Sequence, residues 1–476
     1  MSASREKKSR QQLNQSGYVD PKVIREQEKK AQERKSNIKL AIGAAIFAVL
    51  AIVLFTLNSG VIQRGKTAVT IDGKEYKVND VAFYFNNFYN QHAGDLTAVG
   101  LDTSKDLREQ EYITGETWFD YFLGHALNEM AAEVKIAEAA EAEGFDAKEE
   151  MDAAEESELA MMEMYGSFYG YSRDQYIHMM YGTYMTEKDF VNCVRRAALA
   201  DAYIAAFEDS QVYDEATLTA EYEANPAAYD SVDVEYILFD SELTAEDAAE
   251  EKAEALKEMT AKAEEAYTRY EEGEALDVIA DEMEAYYSHT PYASQNVTSD
   301  LLTWAFDDER EKGDVEVISF GETGAYLAVF HGRSRNDYHS VSVRHILVDD
   351  EAAAQDLLKQ FNEGEATESD FAALAELNSE DAGSASNGGL YEDVYKGQMV
   401  ESFQDWCFDE ARQNGDTGIV ESEHGFHVMY FVERNAMPYW QFEAKQELSE
   451  AASEEWKSAI IADAAIEQQP GIKYVG

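Results

Sequence analysis

The sequence predicts a multidomain α+β protein carried on a single N-terminal transmembrane helix. Three observations predict it: an uncharged apolar run behind a basic tail, a block of helical periodicity, and a strand–helix–strand pattern that occurs twice in tandem. The 476 residues fit about two to four domains of ordinary size. Apolar residues at 45% and aromatics at 12% are enough to build cores, which excludes wholesale disorder. A formal net charge of −56 excludes an electrostatic nucleic-acid binder, which needs a basic face. Only Cys193 and Cys407 are present, so neither a disulfide-stapled scaffold nor a Cys-rich zinc module fits. Five prolines exclude a polyproline stalk.

The charge is unevenly spread. Residues 1–39 hold eleven Lys/Arg against five Asp/Glu, net +6, which leaves −62 on the other 437 residues. Leu40–Leu57 follows, eighteen residues without a charge, and as a helix it would span about 27 Å, close to one hydrocarbon core. The flanking Lys and Arg predict a cytoplasmic tail over 1–39, a signal-anchor helix over 40–57 and an outward-facing bulk. A cleaved signal peptide would show a shorter apolar region and a small-residue cleavage site. The run is followed instead by Asn58-Ser59-Gly60-Val61-Ile62-Gln63-Arg64. A lipoprotein would need a cysteine just after the run, and the nearest is Cys193.

Residues 67–230 read as a mostly helical domain. Thr67–Val78 opens it as a hairpin, two alternating runs around Asp72-Gly73. Trp118, Phe119, Phe122, Leu123, Ala126, Leu127 and Met130 recur at three- and four-residue spacing and predict a buried helix face. Met161–Tyr184 is rich in Met and Tyr; it is either ordinary helical core or an apolar cradle adaptable to many partners. Phe190–Phe207 closes the helical block.

The tandem pattern predicts two α+β modules, at 231–335 and 342–434. Val234-Glu235-Tyr236-Ile237-Leu238-Phe239 corresponds to Val343-Arg344-His345-Ile346-Leu347-Val348, and Trp304-Ala305-Phe306-Asp307 to Trp406-Cys407-Phe408-Asp409. Gly313-Asp314 and Gly415-Asp416 follow those tryptophans at one spacing, and each copy ends in a β run. The first copy carries a charged amphipathic helix over about Thr244–Glu272. Residues 437–476 predict a helix, Trp440–Ile466, and a strand-like end at Ile472–Val475. This segment is expected to return to the helical domain and make it discontinuous.

The second copy keeps polar groups where the first has bulk. It has His345, Asp381, Gly388-Gly389, Met399, Phe403 and His424-Gly425-Phe426-His427; the first has Tyr236, Thr323 and Tyr326 and no Gly-Gly. A strand histidine such as His345 is either a satisfied core residue or part of a site. If the two strands pair centrally, His345 and His427 meet and fix each other's tautomers. A metal site is not expected: His424 and His427 on one strand would point to opposite faces, and no H-E-x-x-H helix is present.

Residues 342–434 resemble the parvulin-type (PpiC-like) peptidyl-prolyl cis–trans isomerases. The resemblance rests on Arg344-His345-Ile346-Leu347-Val348, Phe371–Ala375, Ser379–Gly389, Gly397-Gln398-Met399 with Phe403, and Glu423–Val428. Many relatives read Gly-Gly-Asp-Leu-Gly where this chain reads Gly388-Gly389-Leu390-Tyr391. The whole layout resembles the PrsA/SurA-type envelope foldases: a helical chaperone-like domain, a degenerate parvulin-like module at 231–335, an intact one at 342–434 and a returning C-terminal segment. The resemblance implies paired core histidines at His345 and His427, Asp381 beside the substrate carbonyl, Met399 and Phe403 lining a proline pocket, and His424 at its rim. It implies no cofactor and no metal. The implied activity is isomerisation of X–Pro bonds in unfolded, exported polypeptides, with the membrane engaged through residues 40–57. A different class, a holdase whose modules only bind peptide, stays open. Asp349-Asp350-Glu351 is acidic where a phosphate-directed parvulin would carry basic residues.

Overall fold

The computed structural model describes residues 60–476 apart from 242, 245, 246 and 296–298. Of residues 1–59 it describes Lys22, Arg25, Lys29, Lys30, 40–42 and 44–50. Residues 40–42 and 44–50 are helical, while 51–57 of the expected anchor, and most of the expected tail, lie outside the described residues. Among the described residues no helix is long and apolar enough to cross a membrane. The chain divides into two compact units, one of residues up to Asp209 with Ala452–Gly476, the other Ser210–Ala451.

In the first unit, strands β1 (Thr67–Ile71) and β2 (Lys74–Lys77) form the hairpin expected around Asp72-Gly73. Both turn residues have positive φ, 50° and 79°, which Asp and Gly adopt at low cost. Helices α1 (Val78–Leu96), α2 (Trp118–Glu143), α3 (Lys148–Tyr169), α4 (Arg173–Tyr181) and α5 (Glu187–Ser210) follow. Thr117 caps α2 reciprocally with Asp120, and Gly144 ends it in the left-handed region. Its predicted face is buried throughout, Trp118, Phe122, Ala126 and Met130 among it, against Tyr84, Phe85, Ile177 and Phe190.

The Met/Tyr-rich stretch is part core and part surface. Met162, Tyr176, Ile177 and Tyr181 enter the core, whereas Met164, Phe168, Tyr169 and Met179 are 58%, 80%, 59% and 52% exposed. Single exposed apolar side chains are ordinary, but several on adjoining helices are not.

The end of the chain differs from the expected strand. Ile472–Val475 falls in and just after a 3-10 helix, Pro470–Tyr474. The strand is Ile466–Gln468, antiparallel to β1 with Val69 opposite Gln468 and Ile71 opposite Ile466. The reason is close packing: a Cβ on Gly471 would stand 2.4 Å from the Thr67 carbonyl oxygen. The helix before it runs Tyr439–Ala462.

The second unit holds helix α6 (Glu215–Ala224) and two modules of one topology. The first module has β3 (Asp230–Phe239), α7 (Ala249–Glu271), α8 (Leu276–Glu282), β4 (Tyr286–Ala293), α9 (Asp300–Ala305), β5 (Val315–Phe320) and β6 (Gly324–Arg335), in the sheet order β4-β3-β6-β5. The second has β7 (Val341–Val348), α10 (Glu351–Glu363), α11 (Glu368–Asn378), β8 (Leu390–Val394), α12 (Glu401–Phe408), β9 (Thr417–Ser422) and β10 (Gly425–Arg434), in the order β8-β7-β10-β9. The repeated Gly-Asp pairs do the same work in both. Gly313 N–H donates to Phe330 and receives its strand through Phe330 N–H to Asp314, as Gly415 and Asp416 do with Phe431.

Alternation on β7 and β10 splits the second module's core. Ile346, Val348, Val428 and Tyr430 pack under α10 and α11 with Phe361 and Phe371. Val341, Val343, Met429 and Phe431 face α12 with Phe403 and Cys407. His345 and His427 continue this second face.

One glycine fixes the edge pairing beside His345. Gly389 has φ +70°, and a Cβ there would lie 2.1 Å from the His345 carbonyl oxygen. Its own carbonyl accepts the His345 N–H at 2.8 Å. Gly389→Ala is therefore expected to destabilise the protein by about 3 kcal/mol, through both the strained φ and the clash. Chemical denaturation checks this; a loss no larger than that of an exposed-surface substitution would contradict it.

Candidate active site

β7 and β10 are the two central strands of the second sheet, and their register sets the site. His345 stands opposite Met429 and His427 opposite Leu347, so the histidines are diagonal neighbours on one face. Both are buried. Their rings lie at 5.2 Å, nearly parallel at 28°, with Nδ1 to Nδ1 at 3.1 Å. Phe403 closes over them edge-on, at 5.5 Å from His345 and 5.3 Å from His427.

The remaining partners fix where each proton sits. His345 Nε2 is 2.8 Å from Asp381 Oδ2, an acceptor only, so Nε2 carries the proton and Nδ1 accepts. His427 Nδ1–H must then donate to it, which leaves His427 Nε2 as acceptor for the Ser422 hydroxyl at 2.7 Å. Ser422 Oγ in turn accepts the His424 backbone N–H at 3.1 Å. Both rings are neutral in this chain of donors. A proton added to His345 would set N–H against N–H at the Nδ1 contact, and one added to His427 would go to Nε2 and reverse the hydrogen bond with Ser422.

Asp381 is held as a carboxylate. Burial pushes its pKa up, but donors from Ser384, His345, the Gly383 N–H and Tyr391 outweigh it and hold the group well below the usual carboxylate range. Burial lowers the His345 pKa, opposed by Asp381. Burial, then repulsion from His345 and His424, pushes His427 down to about 4.

Above this floor opens a cavity of about 520 Å³, walled on the apolar side by Met399, Val400, Phe403 and Leu347 and on the polar side by Asp381, Tyr391 and His424. The Gly388-Gly389 turn below it is clamped by Arg344. Its guanidinium donates to the Asn387 and Gly388 carbonyls at 2.9 and 3.0 Å and pairs with Glu368 at 2.9 Å.

All six residues singled out in the sequence, His345, Asp381, Met399, Phe403, His424 and His427, line this one cavity. One placement differs. His424 is not on the strand with His427 but in the turn before Gly425, largely exposed, so alternation does not send it to the opposite face. Among the described residues no group of three or more His, Cys, Asp or Glu could hold a metal ion. Ser384, Tyr391 and Ser422 were not singled out. Ser384 lies within the segment Ser379–Gly389, and Tyr391 was visible only as a departure from the family's Gly-Gly-Asp-Leu-Gly. Cys193 and Cys407 are buried free thiols, each pushed up to about 12 by burial.

In the first module the matching site is filled. Tyr236 stands opposite Ala328 as His345 stands opposite Met429. Tyr236 and Tyr326 meet edge-to-face at 5.4 Å where the second module has its histidines.

Residues 327–435 match the family described as PPIC-type PPIASE domain. The second module is a PPIC-type parvulin domain. The chain is similar to foldase protein PrsA 1 of Listeria innocua, 36% identical over 95 residues, 20% of this chain and 31% of that protein. It is similar also to foldase protein PrsA of Exiguobacterium sibiricum, 32% identical over 121 residues, 25% of this chain and 38% of that one. It thus spans about a third of the length of these curated relatives. Among solved structures, PrsA from Bacillus subtilis aligns with 76% of this chain and 96% of its own at 14% identity and a TM-score of 0.31. NmPin, the parvulin of Nitrosopumilus maritimus, aligns with 20% of this chain and 97% of its own at 30% identity and a TM-score of 0.18.

Two outcomes test the geometry of the PPIC-type domain. An unfolded His427 takes its proton near 6.5 and the folded one near 4, so the unfolded state binds more protons between these values. This contribution to stability is full above about pH 6.5 and is lost as pH falls toward about 4. The stability of the protein relative to its His427→Gln variant is expected to decline across that window. A difference independent of pH would contradict the neutral pair. Tyr391→Phe removes one of the donors to Asp381 Oδ2; the carboxyl titration, followed by carbon NMR, is expected to move upward, with about 1–2 kcal/mol of stability lost.

Proposed function

We propose that this chain is a membrane-anchored, extracytoplasmic foldase that binds unfolded polypeptides and isomerises their X–Pro bonds in the PPIC-type domain. The observation that carries the reading is the neutral histidine pair, anchored on Asp381, beneath an open cavity with an apolar wall of Met399 and Phe403.

The chemistry asks little covalent work of the protein. An X–Pro bond favours trans by only about 0.5–1 kcal/mol, but the barrier is about 18–20 kcal/mol because rotation breaks amide resonance. A site accelerates rotation by binding the twisted amide better than either planar form. Met399 and Phe403 grip the pyrrolidine ring and remove water from the amide. The twisted amide has a more polarised carbonyl and a more basic nitrogen, so the fixed Asp381–His345–His427 array sets the field it meets. His424 stands at the rim for the flanking chain. Asp349-Asp350-Glu351 beside the site disfavour phosphorylated substrates.

Anchoring rests on Leu40–Leu57 and the basic residues before it. Client binding is supported by the exposed side chains Met164, Phe168, Tyr169 and Met179 on α3 and α4. That surface also favours a second reading, a holdase whose modules only bind peptide.

A proline-peptide isomerisation assay on the protein decides between them. Met399→Ala with Phe403→Ala is expected to lower kcat/KM by about 10–100-fold while suppression of client aggregation persists. A folded wild-type protein that does not accelerate isomerisation above background would overturn the enzymatic reading and leave the holdase. Client capture is also expected to weaken with rising salt, because the outward charge of −62 favours basic chains.

A further inference from the structure

In the first module Tyr236 and Tyr326 stand where the second has its histidines, yet that module touches the wall of its sibling's cavity. The turn Tyr395–Gln398 joins β8 to α12. Its last residue with Met399 and Val400 lines the cavity, and Val400 is the N-cap of the helix that carries Phe403. Gly397 and Gln398 are exposed, and from its own module the turn is held by polar contacts: the Gln404 side chain on α12 accepts the Gly397 N–H at 2.5 Å and the Gln398 side chain accepts the Tyr395 N–H at 3.1 Å. Tyr292, at the end of β4 in the first module, holds it from the other side.

The contact has two parts. The Lys396 ammonium donates to the Tyr292 hydroxyl at 3.2 Å and sits among three rings, 5.0 Å from that of Tyr292, 5.3 Å from Tyr338 and 5.6 Å from Phe408. The rings come from the first module, the segment joining the modules, and α12, so the cation draws three pieces of chain together. Beside it, Gly397 has φ +94°, and a Cβ there would lie 2.9 Å from the Tyr292 carbonyl oxygen. Only a glycine lets the turn lie this close to the neighbouring backbone. Tyr338 also receives the Lys396 backbone N–H at 3.2 Å and stacks on Tyr439, as does Tyr395.

Resting on the proposed isomerase reading, we infer that Tyr292 of the first module is a positioning residue for the second module's proline pocket, acting through Lys396 and Gly397. The module whose own site is filled by Tyr236 and Tyr326 serves as the jig for the Gln398–Val400 wall. Tyr292 touches no substrate; it sets where Met399 stands.

The test compares the full chain with Tyr292→Ala, Tyr292→Phe and Lys396→Met, with Tyr286→Ala on the same strand as control. Amide hydrogen exchange of residues 395–400 reads the clamp without any substrate. It is expected to quicken about tenfold in Tyr292→Ala and Lys396→Met and to change little in Tyr292→Phe, which keeps the ring, or in the control. With a proline peptide, Tyr292→Ala and Lys396→Met are expected to raise KM about three- to tenfold with kcat changed less, and Tyr292→Phe to keep it near the wild-type value. Unchanged exchange in Tyr292→Ala overturns the inference, as does quickened exchange with unaltered peptide KM. If the wild type binds the peptide without isomerising it, the enzymatic reading fails and peptide Kd replaces KM. A Kd that rises in the same order of variants supports the clamp, and one that does not overturns it. Should Tyr292→Ala fail to fold, Lys396→Met carries the same comparisons alone.

Discussion

The site depends on one contact, the 3.1 Å approach of two imidazole Nδ1 atoms on neighbouring strands. Two nitrogens can share a single proton at that distance only if one ring donates and the other accepts. Asp381 decides the direction at one end and Ser422 completes it at the other. Because a carboxylate cannot donate, the order of donors runs one way through five groups. Everything around it conserves that order: burial keeps both rings uncharged, Phe403 covers them, and the Arg344 clamp holds the Gly-Gly turn against the same strand. The result is a rigid polar floor that carries no free proton for exchange, suited to presenting a fixed field more than to acid–base turnover.

The two modules show what this floor costs and what replaces it. With the same strands, order and Gly-Asp closures, the first module has two tyrosines where the second has two histidines. The tyrosine rings meet edge-to-face and pack against each other. The second module, with smaller rings and a buried carboxylate, must instead satisfy each polar atom by name. Ser384 and Tyr391 do so for Asp381, each donating its hydroxyl to Oδ2.

Much of this was legible in the sequence because the chain repeats. Comparing copies isolated His345 and His427 as the positions where one module is polar and the other is not, and strand alternation placed them on one face. The hairpin at Asp72-Gly73 and the buried face of α2 followed from turn chemistry and periodicity. What escaped has a physical cause in each case. Ser422 acts across a tight turn, five residues before His427, where no periodicity applies. Tyr391 bonds through its hydroxyl, invisible to a pattern that records only size and polarity. Tyr292 and Lys396 are 104 residues apart in different copies, and no local signal reports a contact between modules. The C-terminal alternation suggested a strand, but Pro470 and Gly471 impose a 3-10 turn. The real strand, Ile-Glu-Gln, is too short and polar to announce itself.

That short strand has a consequence for how the molecule is made. Val69 near the start pairs with Gln468 near the end, and Gln469 reaches the Thr70 hydroxyl across 399 positions. The hairpin of the first unit therefore waits, with one edge unpaired, while both modules are synthesised. Local helices form early, but closing this sheet waits for Ile466–Gln468, and the Gln469–Thr70 contact beside it spans 399 positions. The modules, built from contacts within about one hundred residues each, are complete before the unit that precedes them. A chain interrupted before residue 466 would thus hold a finished parvulin domain and an unfinished helical unit, its β1 edge open to pairing with other strands.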